Sequence, residues 1–363
     1  MKIISVVGAR PNFMKVAPIL RELKKFPTQQ SVLVHTGQHY DAKMSDVFFS
    51  DLQIPEPDVF LNVGSGSHAK QTAEVMSRFE AVVEKEKPDL VIVVGDVNST
   101  LACSVTASKM NVRVAHVEAG LRSFDKTMPE EINRIVTDAV SDYLFTTEQS
   151  GNDHLLAEGK KPEQIYFTGN VMIDSLVFSQ KRMRESTVLS QLQLVPYEYI
   201  VVTLHRPSNV DNPESLEKIL RILDIIQQKI QVVFPIHPRS MKMIEKFGYQ
   251  SRMESMRHLK LIDPIGYIDF LSLMSQAKAV VSDSGGLQEE STYLGIPCLT
   301  MRDNTERPVT IDVGTNTLVG LDEEKIYACI DHIMIGTYKT GTVPQLWDGK
   351  AAERIVSILN KIG

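Results

Sequence analysis

Short apolar runs alternate with amphipathic stretches along most of the chain. Runs at 3–7, 32–35, 90–94, 112–117, 143–145 and 164–167 predict strands in the first half. Runs at 199–203, 231–236, 260–262, 279–282 and 298–301 do so in the second. Many are rich in Val and Ile without polar alternation, the pattern of parallel strands covered on both faces. Between them, Val16, Ile19, Leu20 and Leu23 fall at i, i+3, i+4, i+7, and Leu216, Ile219, Leu220 and Leu223 repeat that helical spacing. The alternation predicts βαβ units and a doubly wound α/β fold. The pattern restarts near Tyr199, after a stretch at 171–196 that carries a helix, charge and a breaker. The expected division is therefore a Rossmann-like domain over 1–170 and a second over 171–348, with a terminal helix over 349–363 able to pack back on the first. Two such sheets facing each other are expected to leave one cleft, with strand C-terminal ends and helix N-termini pointing into it.

Composition narrows this picture. A length of 363 residues suits two domains of about 150 each. With 43% hydrophobic and 23% charged residues, disorder is excluded. A net charge of −6 argues against a dedicated nucleic-acid surface, and no apolar run approaches the roughly 20 residues of a membrane span. Cys103, Cys298 and Cys329 are far apart and form no disulfide framework, which suits a reducing, cytoplasmic setting. The opening Met1-Lys2-Ile3-Ile4-Ser5-Val6-Val7-Gly8 reads as a buried strand, not a secretion signal.

Candidate chemistry gathers where apolar strands end. The first turn, Gly8-Ala9-Arg10-Pro11-Asn12-Phe13-Met14-Lys15, places two cations beside a helix N-terminus, an anion site or an ordinary turn with a solvent-facing Lys. Ser282-Asp283-Ser284-Gly285-Gly286-Leu287-Gln288-Glu289-Glu290 closes a buried strand with a hydroxyl and two glycines. Such a turn suits a phosphate, with Glu290 placed for a ribose diol, although a simple Ser cap gives the same pattern. Asp96 and Glu118 follow the strands at 90–94 and 112–117. Their structural alternatives are a helix cap for Asp96 and an ion pair with Arg122 for Glu118. Pro129-Glu130-Glu131-Ile132-Asn133-Arg134 opens a helix, with Glu130 and Arg134 at salt-bridge spacing. His205-Arg206-Pro207 and His237-Pro238-Arg239 put imidazole and guanidinium groups at two strand ends. His35 and His39 flank Gly37 in a turn and predict no metal site. Gly64-Ser65-Gly66-Ser67-His68-Ala69 matches a dinucleotide fingerprint, yet it does not follow the first strand.

Taken in order, the motifs resemble a known family. They are Gly8-Ala9-Arg10-Pro11, Gly37-Gln38-His39-Tyr40, Gly95-Asp96, His116-Val117-Glu118-Ala119-Gly120-Leu121-Arg122, Pro129-Glu130-Glu131, His205-Arg206, Asp283 to Glu290, and Thr305-Glu306-Arg307-Pro308. Over essentially the whole chain they resemble the non-hydrolysing UDP-N-acetylglucosamine 2-epimerases. The resemblance implies a GT-B-like pair of Rossmann-type domains, an interdomain site, a homodimer, no bound NAD or metal, and supply of UDP-N-acetylmannosamine for cell-surface polysaccharides. It carries over Asp96, Glu118 and Glu130 as acid/base groups and His205 as a further catalytic group. It carries over Arg10, Lys15, Arg134, His237, Phe270, Ser284, Gly285, Gly286, Glu290 and Arg307 as UDP-sugar contacts, with Phe270 against the uracil. Some relatives bind a second substrate molecule as activator, and the region of Gln38 and His39 is the candidate for it here. Val97 stands where many relatives carry Thr, which bears on a hydrogen bond to Asp96. Val309-Thr310 replaces a frequent Glu-Ala, which bears on selectivity at the sugar end.

The implied chemistry is constrained. The C2 hydrogen of such a sugar adjoins no ketone and is not acidic. Loss of the diphosphate from C1 makes it acidic and leaves a 2-acetamidoglucal, to which UDP re-adds as a proton arrives on the opposite face. Cations and helix N-termini must hold the departing diphosphate, and carboxylates must reach both faces of C2. Readings that remain open are a C2 epimerase of a 3-acetamido or uronic UDP-sugar, a GT-B glycosyltransferase, an NAD-dependent oxidoreductase using 64–69, and a nucleotide-sugar sensor.

Overall fold

A computed structural model of the chain describes residues 1–37 and 51–362, with Arg10 described only in its backbone. Gln38 and His39 lie outside the described residues. Two compact units emerge, one made of Met1–Phe178 with Gln345–Gly363, the other of Ser179–Pro344.

The first unit carries seven parallel strands: β1 (Lys2–Val7), β2 (Gln30–His35), β3 (Val59–Phe60), β4 (Leu90–Val94), β5 (Arg113–Ala119), β6 (Tyr143–Thr146) and β7 (Ile165–Phe167). Their spatial order is β3-β2-β1-β4-β5-β6-β7. The second unit repeats the scheme with β8 (Tyr199–Thr203), β9 (Gln231–Pro235), β10 (Leu259–Ile262), β11 (Ala279–Ser282), β12 (Cys298–Thr300) and β13 (Asn316–Leu318). Their order is β10-β9-β8-β11-β12-β13, again all parallel. Each unit is thus a doubly wound Rossmann-like fold, the α/β class that the sequence predicts. In each, the winding reverses between the first and fourth strands of the unit, where such sheets place ligands.

The cores follow the apolar pattern. In the first unit Ile4, Val6, Val91 and Val93 pack under Val75, Phe79 and Val83 of the helix His68–Glu86 and Ala102, Cys103 and Ala107 of Asn98–Lys109. In the second, Ile200, Val202, Phe234 and Val281 meet Leu216, Ile219, Leu220 and Leu223 of Pro213–Lys229. Each fully buried aliphatic chain contributes about 1.5–3 kcal/mol relative to exposure.

The helix Ala351–Ile362 belongs to the first unit and packs on Arg10–Leu23. Its first N–H groups are capped from a distance. Asp174 accepts from Ala351 N at 3.1 Å and from Ala352 N at 2.7 Å. Just before it, Trp347 is buried and donates Nε1–H to the Thr147 carbonyl at 2.9 Å. The fingerprint at 64–69 follows a two-residue edge strand far in sheet order from the β1/β4 reversal. Its residues are exposed, a Cβ on Gly64 would meet nothing, and Ser67 simply caps the helix that follows. No close backbone approach calls for glycine at Gly64 or Gly66.

Asp174→Ala removes both cap bonds. We expect a stability loss of about 1–2 kcal/mol, read as a lower urea midpoint in the fluorescence of Trp347, the chain's single Trp. An unchanged midpoint would show that the remote cap is energetically silent.

Candidate functional site

In the first unit, carboxylates collect at the C-terminal ends of β4 and β5. Gly95 N donates to the Val117 carbonyl at 3.0 Å, which holds the two strand ends side by side. Asp96 does not cap the following helix. Its cap position is Val97, with no side-chain bond. The Asp96 carboxylate instead takes Arg134 Nη2 at 2.6 Å and keeps one fifth of its side chain exposed. Arg134 is itself buried, and its Nη1 contacts Glu131 at 2.7 Å. Glu131 also accepts from Ser123 N (2.9 Å), Ser123 Oγ (3.0 Å) and Phe124 N (2.9 Å). One buried carboxylate therefore fixes the loop after β5 and the guanidinium behind Asp96. Glu130 lies half-buried beside it in the first turn of Pro129–Val140.

Glu118 sits where the β5–β6 register shifts and has φ = 74°, a left-handed backbone that a Glu adopts only when its surroundings enforce it. Its carboxylate meets Lys15 Nζ at 2.5 Å, both side chains being buried. Gly95, at φ = 65°, makes room for that amine, since a Cβ there would lie 2.9 Å from Lys15 Nζ. The anticipated Glu118–Arg122 pair gives way to this one. Arg122 instead grips Asp138 at 2.8 Å and Glu158 at 2.6 Å. His116 is a satisfied core imidazole, with Nδ1 on Asp138 at 2.6 Å and Nε2 on the Gly95 carbonyl at 2.8 Å. Burial would raise the Asp138 carboxyl, yet His116 and Arg122 hold it below its ordinary value.

The first turn is occupied by its own chain. Asn12 Oδ1 accepts from Gly8 N at 3.1 Å and Ala9 N at 3.0 Å. Lys15 is committed to Glu118 rather than facing solvent. Nearby, His35 accepts from Gly37 N at 2.8 Å and burial lowers it to about 4, so it is a neutral interior imidazole. Among the described residues no group of side chains is arranged to hold a metal ion.

In the second unit the helix Gly285–Leu294 begins without a side-chain cap and without acid in its first turn. Its N–H groups and positive end are open to an anion. Ser284 is half-buried, and its hydroxyl is not spent on capping. Arg307 lies over this turn, so a Cβ on Gly285 would be 2.9 Å from its Nη1. It is buried and paired to Glu289 at 2.8 Å and Glu306 at 3.4 Å. Glu290 is buried and accepts from the Tyr267 hydroxyl at 2.9 Å. Burial pushes its carboxyl up to about 8. A pocket of about 150 Å³ opens at the ends of β8 and β9, lined by His205, His237 and Phe270 with Thr203, Leu204, Pro235, Pro264 and Ile265. Asp283 lies fully buried beneath it, at 2.9 Å from His205 Nδ1.

A sequence profile described as UDP-N-acetylglucosamine 2-epimerase matches residues 21–360. The chain belongs to that family. It is 42% identical to the UDP-N-acetylglucosamine 2-epimerase of Methanocaldococcus jannaschii, over 99% of each chain. It is 40% identical to the UDP-2,3-diacetamido-2,3-dideoxy-D-glucuronate 2-epimerase of Pseudomonas aeruginosa, over 100% of each. Among solved structures it resembles the M. jannaschii UDP-GlcNAc 2-epimerase in complex with UDP-GlcNAc and UDP. That match has 41% identity and a TM-score of 0.91, and covers 99% of this chain and 100% of that one.

Within this family member, the expected residues fall into two groups. In the first unit Lys15 is paired with Glu118 and Arg134 with Asp96 at the ends of β5 and β4, while Glu130 lies half-buried in the first turn of the helix that carries Arg134. In the second, His205, His237 and Phe270 line one pocket, Ser284, Gly285 and Gly286 form the turn beside Arg307, and Glu290 lies buried in the helix that follows. The side chain of Arg10 lies outside the described positions. Lys15 and Arg134, expected as substrate contacts, are each bound to a carboxylate. Sequence reasoning missed Glu131, Asp138, Asp283 and Tyr267. Of these, Glu131 carried a usable signal, because it stands three residues before Arg134 on one helix.

Lys15→Met strands a buried carboxylate, for which we expect a loss of about 3–5 kcal/mol in urea unfolding, largely recovered in the Lys15→Met/Glu118→Gln double variant. No loss in the single variant would mean the pair is solvated. Glu290 supplies a second test. Its folded carboxyl, at about 8 against an ordinary 4.5, holds a proton that the unfolded chain releases. That stabilisation is complete below about 4.5 and is lost as pH rises toward 8. Glu290→Gln should therefore flatten the decline of Tm with pH in this window, and an identical slope would contradict the buried, protonated state.

Proposed function

We propose that this chain interconverts UDP-N-acetylglucosamine and UDP-N-acetylmannosamine by inverting C2. What supports the reading is that Asp96 and Glu118, at the C-terminal ends of the neighbouring strands β4 and β5, are each gripped by a buried cation, with Glu130 in the first turn of the helix that supplies Arg134, in a chain of this family. A glycosyl transfer has no need of acid/base groups on both faces of C2.

The second unit holds the nucleotide. The 150 Å³ pocket with Phe270 takes the uracil, and Glu290 takes the ribose diol. The uncapped turn Ser284–Gly285–Gly286, with Arg307, His205 and His237, takes the diphosphate. The C1–O bond breaks with its electron pair leaving on UDP, and a carboxylate removes the C2 proton. The product is the 2-acetamidoglucal. UDP then adds back to C1 while an acid on the other face delivers a proton to C2. Electrons and protons balance without a redox cofactor or metal. The left-handed backbone of Glu118 supports its role among the acid/base groups, since strain of this kind is retained where a side chain must be aimed. The family reading further supports a cytoplasmic homodimer that supplies UDP-N-acetylmannosamine for polysaccharides.

A second reading keeps the mechanism and changes the sugar. The P. aeruginosa relative named for a diacetamido uronate is nearly as similar as the M. jannaschii enzyme, at 40% against 42%. Thr310 does little to separate the two, because its hydroxyl donates to the Arg307 carbonyl at 2.8 Å and accepts from Asn316 at 3.1 Å.

Incubation with UDP-N-acetylglucosamine in D2O, without acceptor or cofactor, should place deuterium at C2 of the recovered nucleotide sugar. Retained hydrogen there would overturn the mechanism, and exchange only with the diacetamido uronate would select the second reading. Asp96→Asn, Glu118→Gln and Glu130→Gln should each lower kcat by about 10²–10⁴-fold with little change in UDP affinity. Full rates in all three would remove the acid/base assignment. UDP binding should also release a proton near pH 7, because Glu290 must ionise to accept both ribose hydroxyls. Calorimetry in buffers of different ionisation enthalpy reads this directly, and buffer-independent heats would exclude it.

A further inference from the structure

Two imidazoles share the pocket of the second unit, and their local partners set them in opposite ways. The rings of His205 and His237 have centroids 6.0 Å apart. His237 Nδ1 accepts from Arg239 N at 3.1 Å, so the ring proton of neutral His237 sits on Nε2. His205 Nδ1 faces Asp283 Oδ1 at 2.9 Å, and an ionised carboxylate only accepts, so His205 carries a proton on Nδ1. We infer that Asp283 is the positioning residue for His205, fixing its ring and the proton on Nδ1 so that Nε2 is aimed at the leaving diphosphate.

The geometry fits that task better than a loop anchor alone. Asp283 has no exposed side-chain surface, whereas His205 is 45% exposed. Oδ2 of Asp283 accepts from Arg206 N at 2.9 Å and Asn209 Nδ2 at 3.0 Å, and His205 N lies at 3.1 Å. These bonds immobilise the carboxylate, and Oδ1, which also lies 3.2 Å from His205 N, meets the ring. Although burial would raise the Asp283 carboxyl, the bond to His205, with those from Arg206 and Asn209, holds it below its ordinary value and keeps it anionic. When both ring nitrogens carry protons, Asp283 takes Nδ1–H and leaves Nε2–H to donate to a phosphate oxygen as charge develops there. The parallel is the carboxylate behind a catalytic imidazole, which sets tautomer and orientation without itself taking part. This rests on the reading above only for what His205 is used for; the His205–Asp283 pairing does not depend on it.

The test uses the full chain labelled with 15N on histidine, with His205→Asn to assign the signal. In the native protein, long-range 1H–15N correlations should find the His205 proton on Nδ1. A bare Nδ1 would overturn the proposal without any Asp283 variant. Asp283→Asn should move the neutral ring to the Nε2–H form, weaken UDP in calorimetry by about 10-fold and lower kcat by about 10²-fold more than it alters KM. In the His205→Asn background, Asp283→Asn should add nothing further to the loss of UDP affinity. Multiplying losses would show that Asp283 serves only the loop, and the proposal would fall. Neither the spectrum nor the UDP cycle needs turnover. If the C2 exchange experiment fails while both behave as expected, the epimerase reading falls and the pair stands.

Discussion

The structure depends on how carboxylates are kept at the open ends of parallel strands. An anion withdrawn from water costs several kcal/mol unless a cation accompanies it. Here the cations come from elsewhere in the sequence. Lys15, from the first helix, reaches Glu118 at the end of β5, and Arg134, from Pro129–Val140, reaches Asp96 at the end of β4. Each pairing ties a side chain to a second element, so its position is set by the packing of the whole unit. Gly95 is part of the same constraint, since a side chain there would displace the amine. The left-handed backbone at Glu118 is the cost of the arrangement, paid out of the stability of the surrounding sheet.

The second unit solves a related problem with the same strand order. Arg307 lies buried between Glu289 and Glu306 yet reaches over the glycine that opens a helix. Asp283 is buried at the end of β11 and meets His205 from just past β8, the neighbouring strand across the reversal. In the second unit the His205–Asp283 pair lies where the winding reverses, between β8 and β11, whereas in the first unit the paired carboxylates lie at the ends of β4 and β5, beside the β1/β4 reversal. The first unit gathers carboxylates on buried cations. The second gathers imidazoles and an open helix terminus over buried carboxylates.

Much of the fold was legible because parallel strands are written as uninterrupted apolar runs. Leu90–Val94, Tyr199–Thr203 and Ala279–Ser282 have the predicted bounds. β13 escaped notice because Asn316 and Thr317 make it read as a loop, and its side-chain bond from Asn316 to Gln288 at 3.1 Å appears only in three dimensions. The candidate site was legible to the same depth. Asp96 and Glu118 were visible as acids just past apolar strands. Their partners were not, because Lys15 is about 100 residues from Glu118 and nothing local links them. The sequence therefore offers Lys15 either as an anion ligand or as a solvent-facing side chain, and offers Glu118, beside its acid/base reading, only Arg122 as a local ion partner. Asp283 stood inside a recognised motif but had no role there, since its significance lies in a strand 80 residues earlier.

These misses share a cause that bears on how the site works. Sequence reasoning finds groups that a ligand would meet, since strand ends and glycine turns have local signatures. It does not find the groups that hold them, because those contacts cross between elements. Yet the holding groups decide the chemistry. Asp96 on a mobile side chain would be an ordinary exposed carboxylate. With Arg134 behind it, and Glu131 fixing both Arg134 and the loop at Ser123, it becomes a carboxylate of fixed direction. Proton transfer on opposite faces of one carbon demands that fixity, because a carboxylate free to swing could return the proton to the face it came from and no inversion would result. On the proposed epimerase reading the buried ion pairs serve stereochemical inversion as well as folding, and a variant that loosens them while preserving the fold would exchange the C2 hydrogen more often than it inverts the centre.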